Sequence, residues 1–483
     1  MLMEAPPIAQ NNRNKQWLEL PAVFNYTHIP IRTVVAGFNI GVLSMQTELA
    51  NDSKLSRDLT TTRKRTITRR GVLWLGQTCN LRCHFCYFLD RIENTAHPEH
   101  AFMSLEKSKQ ICSTLVEHYG NNAIDIQGGE PTLYKHIYAL VRHCREIGLL
   151  PTLITNAVPL FKRENVHKLK EAGIRDFLVS IQGIGDTYDK IVGVAGSFVK
   201  QMQGLDNIIA EGIPFRINCV LSKPVLPQLS EVADLAIQKG ARVVNFLAFN
   251  PFEDQQLSGK RSTVNVPRYS EVAIVLDEAI DKLEAAGIEV NVRYFPICMV
   301  APRHYKNIYN FQQLPFDIHE WDYASWSWTG MQSQRMGFGP VSPLLDIAAS
   351  TYHPAHYPGP LKHVANGVRQ LVHKYPNLRE SAAKLHRAYS RIINPVSTAR
   401  DKEALYRANG QMRASAHCRY RYAEACKRCP ARTICDGFHG DYAEIFGLDE
   451  VRPIENQSKI DDPKYFIQGQ DKVVEPEDYS WAT

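Results

Sequence analysis

Cys79, Cys83 and Cys86 lie in the stretch CNLRCHFCYF, a C-x3-C-x2-C spacing that puts three thiols in one short loop. Cysteine thiolates are metal ligands, and a closed structural metal site takes four protein ligands. Three ligands therefore leave a corner open. Either a fourth side chain such as His97 completes a zinc site, or something other than protein takes the last position. A second set sits far along the chain. Cys298 is followed by a C-x7-C-x2-C-x5-C run made of Cys418, Cys426, Cys429 and Cys435, with His439 four residues later. Cys112 and Cys144 fall in helix patterns and Cys219 on the apolar side of a strand pattern, where a thiol packs as a small apolar side chain.

The rest of the chain sets the context for these thiols. The sequence has 483 residues, 44% hydrophobic and 22% charged, as expected of a globular protein with a real core. A formal charge of +6 is small for this length and singles out no partner, which ranks nucleic acid low. One basic cluster, Arg63, Lys64, Arg65, Arg69 and Arg70, reads as a solvated linker or as a contact for an acidic peptide or phosphate. The N-terminal MLMEAPPIAQNNRNKQW has no signal-peptide pattern, and no apolar run reaches the roughly 18 residues of a membrane span. A cytoplasmic protein is expected, where eleven cysteines point to metal or catalysis before disulfides.

The elements that must hold the first thiols alternate regularly. Strand patterns occur at 72–76, 123–127, 151–155, 177–182, 215–221 and 242–249; helix patterns include 104–119, 136–148, 166–173, 229–240 and 270–287. Six strand–helix units predict a parallel α/β sheet, and their number fits a partial (β/α)6 TIM-type barrel better than a full eight-unit one. Strand parity adds a functional hint. Arg216, Asn218 and Val220 share one face, as do Leu178, Ser180 and Gln182, and Asp125 and Gln127. A parallel sheet under helices is normally apolar on both faces, so a polar face predicts a lumen that holds a polar ligand. Residues 288–299 read as one more strand ending near Cys298. The expected organisation is an N-terminal extension (1–70), the barrel (71–296), a cysteine-rich extension with an aromatic-rich insertion (297–450) and a loosely attached polar tail (451–483). The insertion carries Trp321, Tyr323, Trp326, Trp328 and Phe338, read as packing or as cover for the barrel mouth.

The cysteine loop begins just past the first strand, at the barrel edge where active sites are built. With GGEP (Gly128, Gly129, Glu130, Pro131) after the second strand, the chain resembles the radical S-adenosylmethionine (radical SAM) enzymes. That resemblance implies a [4Fe–4S] cluster on Cys79, Cys83 and Cys86, with SAM chelating the fourth iron. It places Phe85 near the adenine and the GGEP stretch at the SAM amino group. Ser180 falls at the ribose position, and Arg216 and Asn218 are partners for the SAM carboxylate. Thr155 and Asn156 resemble a TNG motif in which Ala157 replaces glycine, and Gln182 stands where aspartate is common. The chemistry implied is reductive cleavage of SAM to methionine and a 5′-deoxyadenosyl radical, which abstracts a substrate hydrogen.

The C-x2-C-x5-C part of the second set resembles the SPASM and twitch extensions of such enzymes, which carry auxiliary iron–sulfur clusters. With Cys298, Cys418, Cys426, Cys429 and Cys435 as candidate ligands, one auxiliary cluster is expected, against a zinc knuckle on the last four. A reductant such as flavodoxin or ferredoxin is implied as partner. The expected substrate is a peptide or protein that is cross-linked, epimerised or oxidised. The alternatives are radical oxidation or rearrangement of an aminocyclitol, sugar or nucleotide and, more remotely, a non-catalytic iron–sulfur or SAM-binding protein.

Overall fold

The computed structural model describes residues 60–97, 99–117, 119–249, 263–319, 360–378, 381–382, 385, 402–455 and 458–483. Residues 1–59 of the N-terminal extension and the aromatic-rich stretch at 321–338 lie outside the described residues.

Eight parallel strands pair in simple chain order: β2 (Arg70–Trp74), β3 (Ala123–Gln127), β4 (Leu150–Thr155), β5 (Asp176–Ser180), β6 (Phe215–Leu221), β7 (Val243–Ala248), β8 (Glu289–Arg293) and the short β9 (Ile308–Tyr309). The six expected strands are present within two residues. The one expected at 288–299 is shorter and is followed by β9, so the partial barrel is extended at its open edge. The crossover helices are α2 (Leu105–Glu117), α3 (Ile137–Glu146), α4 (Arg163–Ala172), α5 (Asp186–Val192), α6 (Ser197–Ala210), α7 (Leu229–Lys239) and α8 (Tyr269–Ala285), after a short α1 (Leu89–Glu93) in the first connection. Helices α5 and α6 were not among the periodic stretches named above. Glycines cut that region into short pieces, and Gly193 and Gly196 sit in the left-handed turn between the two helices.

Alternation along the strands sorts the side chains into two environments. The outer face packs under the helices: Leu73, Ile124, Ile126, Leu153, Phe177, Val179, Ile217, Cys219, Val244, Phe246, Val290 and Val292 share one core cluster. The inner face is polar and runs in layers fixed by register. Leu178, Arg216, Val243 and Glu289 form a lower layer, Ser180, Asn218, Asn245 and Asn291 a middle one, and Val220, Leu247 and Arg293 an upper one. The two edges of the open sheet are joined by packing, since Val72 and Trp74 of β2 cluster with Tyr309 of β9, Phe311, Leu314 and Tyr420.

Polar side chains in the lower lumen bind one another. Arg70 donates to Asp125 at 2.9 Å and to Thr152 at 2.8 Å, and Arg216 pairs with Asp176 at 3.3 Å. Burial alone would push the Asp176 carboxyl up, but the guanidinium groups of Arg216, Arg175 and Arg70 together hold it well below the usual carboxylate range.

The tail corrects the sequence reading. Residues 458–483 are not a loose extension but a strap across the lower lumen. Strand β10 (Lys472–Val473) pairs antiparallel with β1 (Thr61–Thr62), and Lys472, wholly buried, bridges Asp317 at 2.9 Å and Glu289. Asp478 pairs with buried Arg175 at 2.6 Å, and Gln470 donates to the Val290 carbonyl at 2.6 Å. The basic cluster is what grips this strap. Arg63 pairs with Asp471 at 2.7 Å, Lys64 donates to the Thr483 carbonyl at 2.9 Å, Arg65 donates to the Ile467 and Gln470 carbonyls, and Arg69 stacks 5.5 Å over the Trp481 ring. Those residues hold the strap within the chain. No helix among the described residues is long and apolar enough to cross a membrane.

Candidate active site

The loop after β2 carries the first thiols and is docked on two sides. Arg82 and His84 donate their backbone N–H groups to the Val192 and Ile191 carbonyls at the end of α5. On the other side the chain leaving β3 lies directly on it: Gly129 N–H reaches the Gly76 carbonyl at 2.7 Å and Glu130 N–H the Thr78 carbonyl at 2.9 Å. This contact accounts for the two glycines. A Cβ at Gly128 would stand 2.2 Å from the Gly76 oxygen, and one at Gly129 2.2 Å from the Thr78 oxygen.

Glu130 is fully buried and points away from solvent. Its carboxylate accepts from Thr132 N–H at 3.1 Å, Thr132 hydroxyl at 2.6 Å, Thr155 hydroxyl at 2.7 Å and Asn156 N–H at 2.8 Å. It therefore ties the loops after β3 and β4 together, with Pro131 starting the short 3-10 turn that follows. Burial pushes this carboxyl up, and those donors oppose the shift. Ala157 takes the left-handed backbone, φ 58°, at the place where the resemblance expects glycine.

Cys79, Cys83 and Cys86 are in no disulfide and open on one cavity of about 240 Å³ at the mouth of the barrel. Phe85, Gly128, Gly129, Asn156, Ser180, Gln182 and Asn218 line the same space. Asn156 donates to Asn80 at 2.9 Å, Gln182 accepts the Val220 N–H at 2.9 Å, and the buried Gln201 amide clamps the Asn156 and Ser180 carbonyls at 2.9 and 2.8 Å. Pro131 and Arg216 are not among the lining residues. Arg216 shares the inward parity of Asn218 but sits two residues lower on β6, roughly 7 Å down the lumen, where Asp176 engages it. The sequence reading of Arg216 as a SAM carboxylate partner is not matched by its position. His97 accepts the Glu99 N–H and is not brought to the thiols.

Sequence reasoning passed over Trp74, Phe249, Arg293, Tyr294 and His319, which also line the cavity. The parity of β8 offered a signal for Arg293, two residues on from Asn291, but nothing local marks His319.

The donor set suits an iron–sulfur cluster. The Leu81 N–H points at Cys79 Sγ (3.5 Å) and the Phe88 N–H at Cys86 Sγ (3.4 Å), the two-residues-on arrangement that supports a metal-bound thiolate. Burial, then nearby Glu130, pushes the Cys79 thiol up to about 12, and burial with the neighbouring thiols pushes Cys83 up. Three thiolates in this place need a positive centre to offset that cost. Among the described residues, no three His, Cys, Asp or Glu side chains close tightly enough to hold a single metal ion.

The second set regroups. Cys298, just past β8, faces Cys426, Cys429 and Cys435 across a small void also lined by Tyr422, Arg432 and Phe438. Gly437 N–H points at Cys435 Sγ at 3.4 Å, repeating the pattern of the first set. Cys418 is not part of this group. It is buried in the cluster that joins the sheet edges, with Trp74 and Tyr420, so the structure does not gather the four consecutive cysteines of the knuckle reading. His439 caps α9 (Gly440–Phe446) by accepting the Asp441 N–H at 3.3 Å, and its ring packs on Tyr420. Cys112, Cys144 and Cys219 lie in the helix-side core.

Residues 75–236 match the family model of the Radical SAM superfamily. An Fe-coproporphyrin III synthase of Methanosarcina barkeri is 33% identical over 34% of this chain and 40% of its own length. A PqqA peptide cyclase of Rhodopseudomonas palustris is 32% identical over 34% of this chain and 43% of its own. The chain thus spans less than half the length of these relatives. Among solved structures, Streptococcus suis SuiB bound to its precursor peptide SuiA aligns at 18% identity with a TM-score of 0.39, over 54% of this chain and 57% of that one. Domains of this family work with a [4Fe–4S] cluster and SAM, and three thiols on a barrel-mouth cavity beside a glycine pair are the residues that would hold them. The barrel of this chain is thus similar, over residues 75–236, to radical SAM domains.

Proposed function

We propose that the chain is a radical SAM enzyme that modifies a peptide or protein by cross-linking, epimerisation or oxidation. The observation that carries the chemistry is the convergence of Cys79, Cys83 and Cys86 with Gly128, Gly129, Asn156 and Ser180 on one cavity. When bound, the cluster supplies the electron that splits SAM and so generates the radical that takes a substrate hydrogen. The chain's own residues do the rest. Three thiols anchor the cluster, Glu130 fixes the two loops that frame the SAM space, and Gln201 locks the carbonyls beneath Asn156 and Ser180. Phe85 and Phe249 meet edge to face, with ring centres 6.5 Å apart, and give the cavity an apolar wall that keeps water from the reacting groups.

Cys298, Cys426, Cys429 and Cys435 would hold one auxiliary cluster. Four thiols complete a cubane without a free corner, so it would carry electrons and bind no substrate. The peptide assignment draws support from the PqqA peptide cyclase relative. The small-molecule alternative draws its own from the Fe-coproporphyrin III synthase. A reductant such as flavodoxin or ferredoxin would feed the first cluster.

Anaerobic reconstitution followed by SAM and dithionite tests the reading. Formation of 5′-deoxyadenosine and methionine, lost in Cys83→Ser, is the expected result. An iron-loaded chain that binds SAM and releases no 5′-deoxyadenosine overturns it in favour of a non-catalytic binding protein.

A further inference from the structure

His319, in the segment after β9, rests on the lower layer and lines the cavity above it while only 3% exposed. The chain fixes it at three points. Its N–H donates to Asp317 at 3.0 Å, its carbonyl accepts from Arg216 at 3.2 Å, and ring Nε2 stands 3.0 Å from the Val473 carbonyl of the strap. A carbonyl oxygen only accepts, so Nε2 carries a hydrogen. Burial, then the cations Arg216 and Lys472 beside the ring, hold the imidazole well below its ordinary pKa although Asp317 opposes them, so the ring is neutral. A neutral imidazole with its hydrogen on Nε2 has a lone pair on Nδ1. That nitrogen is buried and meets no donor. A buried acceptor without a donor is costly, and one that persists in a folded chain calls for a reason. The other polar groups of His319 are all satisfied, which leaves Nδ1 as the one polar atom it has for the cavity it lines.

Its place in the barrel sets it apart from the SAM space. Gly128, Gly129, Asn156 and Ser180, the residues that frame that space, lie at the ends of β3, β4 and β5. His319 rests instead against Arg216 of β6 and has Glu289 of β8 3.9 Å from its ring. We propose that His319 is a substrate-recognition residue, whose Nδ1 accepts a hydrogen bond from a neutral donor on the substrate side chain, a hydroxyl or a carboxamide N–H. The inference rests on the radical SAM peptide reading above and names the group that the peptide presents. A carboxylate has no hydrogen to give, and an ammonium would meet the cations Arg216 and Lys472 near the ring. A ring held neutral this firmly is a poor proton acceptor, so His319 positions the substrate and does not serve as a base.

Calorimetry on the cluster-loaded, SAM-bound chain tests it with two pairs of probes matched in shape. One pair is N-acetyl-L-threonine amide and N-acetyl-L-valine amide; the other is N-acetyl-L-asparagine amide and N-acetyl-L-leucine amide. In at least one pair the wild type should bind the donor-bearing probe about tenfold more tightly. His319→Gln retains an N–H for the Val473 carbonyl and removes the Nδ1 lone pair, and it should bring that preference within about twofold. His319→Leu, which removes both ring nitrogens, should do the same, and SAM affinity should stay within about twofold in both. A wild type with no preference in either pair, whether it binds both members equally or neither, overturns the proposal without any variant. So does a preference that survives in a folded variant. A tenfold loss of SAM affinity in His319→Gln also overturns it, because the lone pair then serves SAM. Formation of 5′-deoxyadenosine by the wild type without added substrate is read separately, so failure of this inference is distinguishable from failure of the radical reading.

Discussion

Glu130 joins two loops through four hydrogen bonds to one buried carboxylate. Its removal strands donors in a place water does not reach, at about 1–3 kcal/mol for each unsatisfied group. Glu130→Ala should lower the stability of the metal-free chain by about 3–5 kcal/mol in urea titration, with Glu130→Gln milder because one acceptor remains. Asp176 gives a pH signature. Its folded carboxyl is held below the unfolded value of about 4, so the stability it contributes is complete above that value and is lost as the pH falls toward the folded value. Asp176→Asn should leave the chain less stable at pH 7 and flatten the fall of the urea midpoint below about pH 4. An unchanged acid slope would show that the Arg70–Asp125–Asp176–Arg216 belt does not drive acid unfolding.

Two elements carry what the sequence pattern understated. The strap from 458 to 483 reads as polar and acidic, yet Lys464, Asp471, Lys472, Glu475 and Asp478 each have a charged partner elsewhere in the chain. Polar composition predicts exposure only when no buried partner exists. Lys472→Met should cost about 3–5 kcal/mol, since it leaves Glu289 and Asp317 facing each other without their shared cation. Thermal or urea unfolding checks this, and a loss below 1 kcal/mol would mean that the strap is only peripherally attached. The segment from β8 to Cys298 links the two cysteine sites, and here spacing misled. Cys418 belongs to the C-x7-C run in sequence, yet it packs beside Trp74, whereas Cys298 crosses from the barrel to complete the set. Cys298→Ser should therefore lower bound iron by about one cubane, roughly four irons, while Cys418→Ser should leave iron content near that of the wild type. The reverse pattern of iron per chain would restore the four consecutive cysteines as ligands.

At the scale of the whole molecule, the barrel was legible because its signals are local. Strand length, helix period and inward parity each repeat every few residues, and the strand register follows from them. The three thiols of the first loop and the GGEP turn were legible for the same reason. The depth of a lumen residue was not. Parity tells inward from outward but not upper from lower, so Arg216 and Asn218 looked equivalent although one is held by Asp176 and the other lines the cavity. His319 and the strap needed the tertiary fold, because they enter the lumen from segments with no strand or helix signal of their own.

Electron paramagnetic resonance of the anaerobically reconstituted, dithionite-reduced chain tests the central claim most directly. The account predicts a reduced [4Fe–4S] signal whose g-values shift when SAM is added, and the loss of that SAM-sensitive signal when Cys79, Cys83 and Cys86 are all replaced by alanine. A signal indifferent to SAM, or one that survives the triple replacement unchanged, would contradict it.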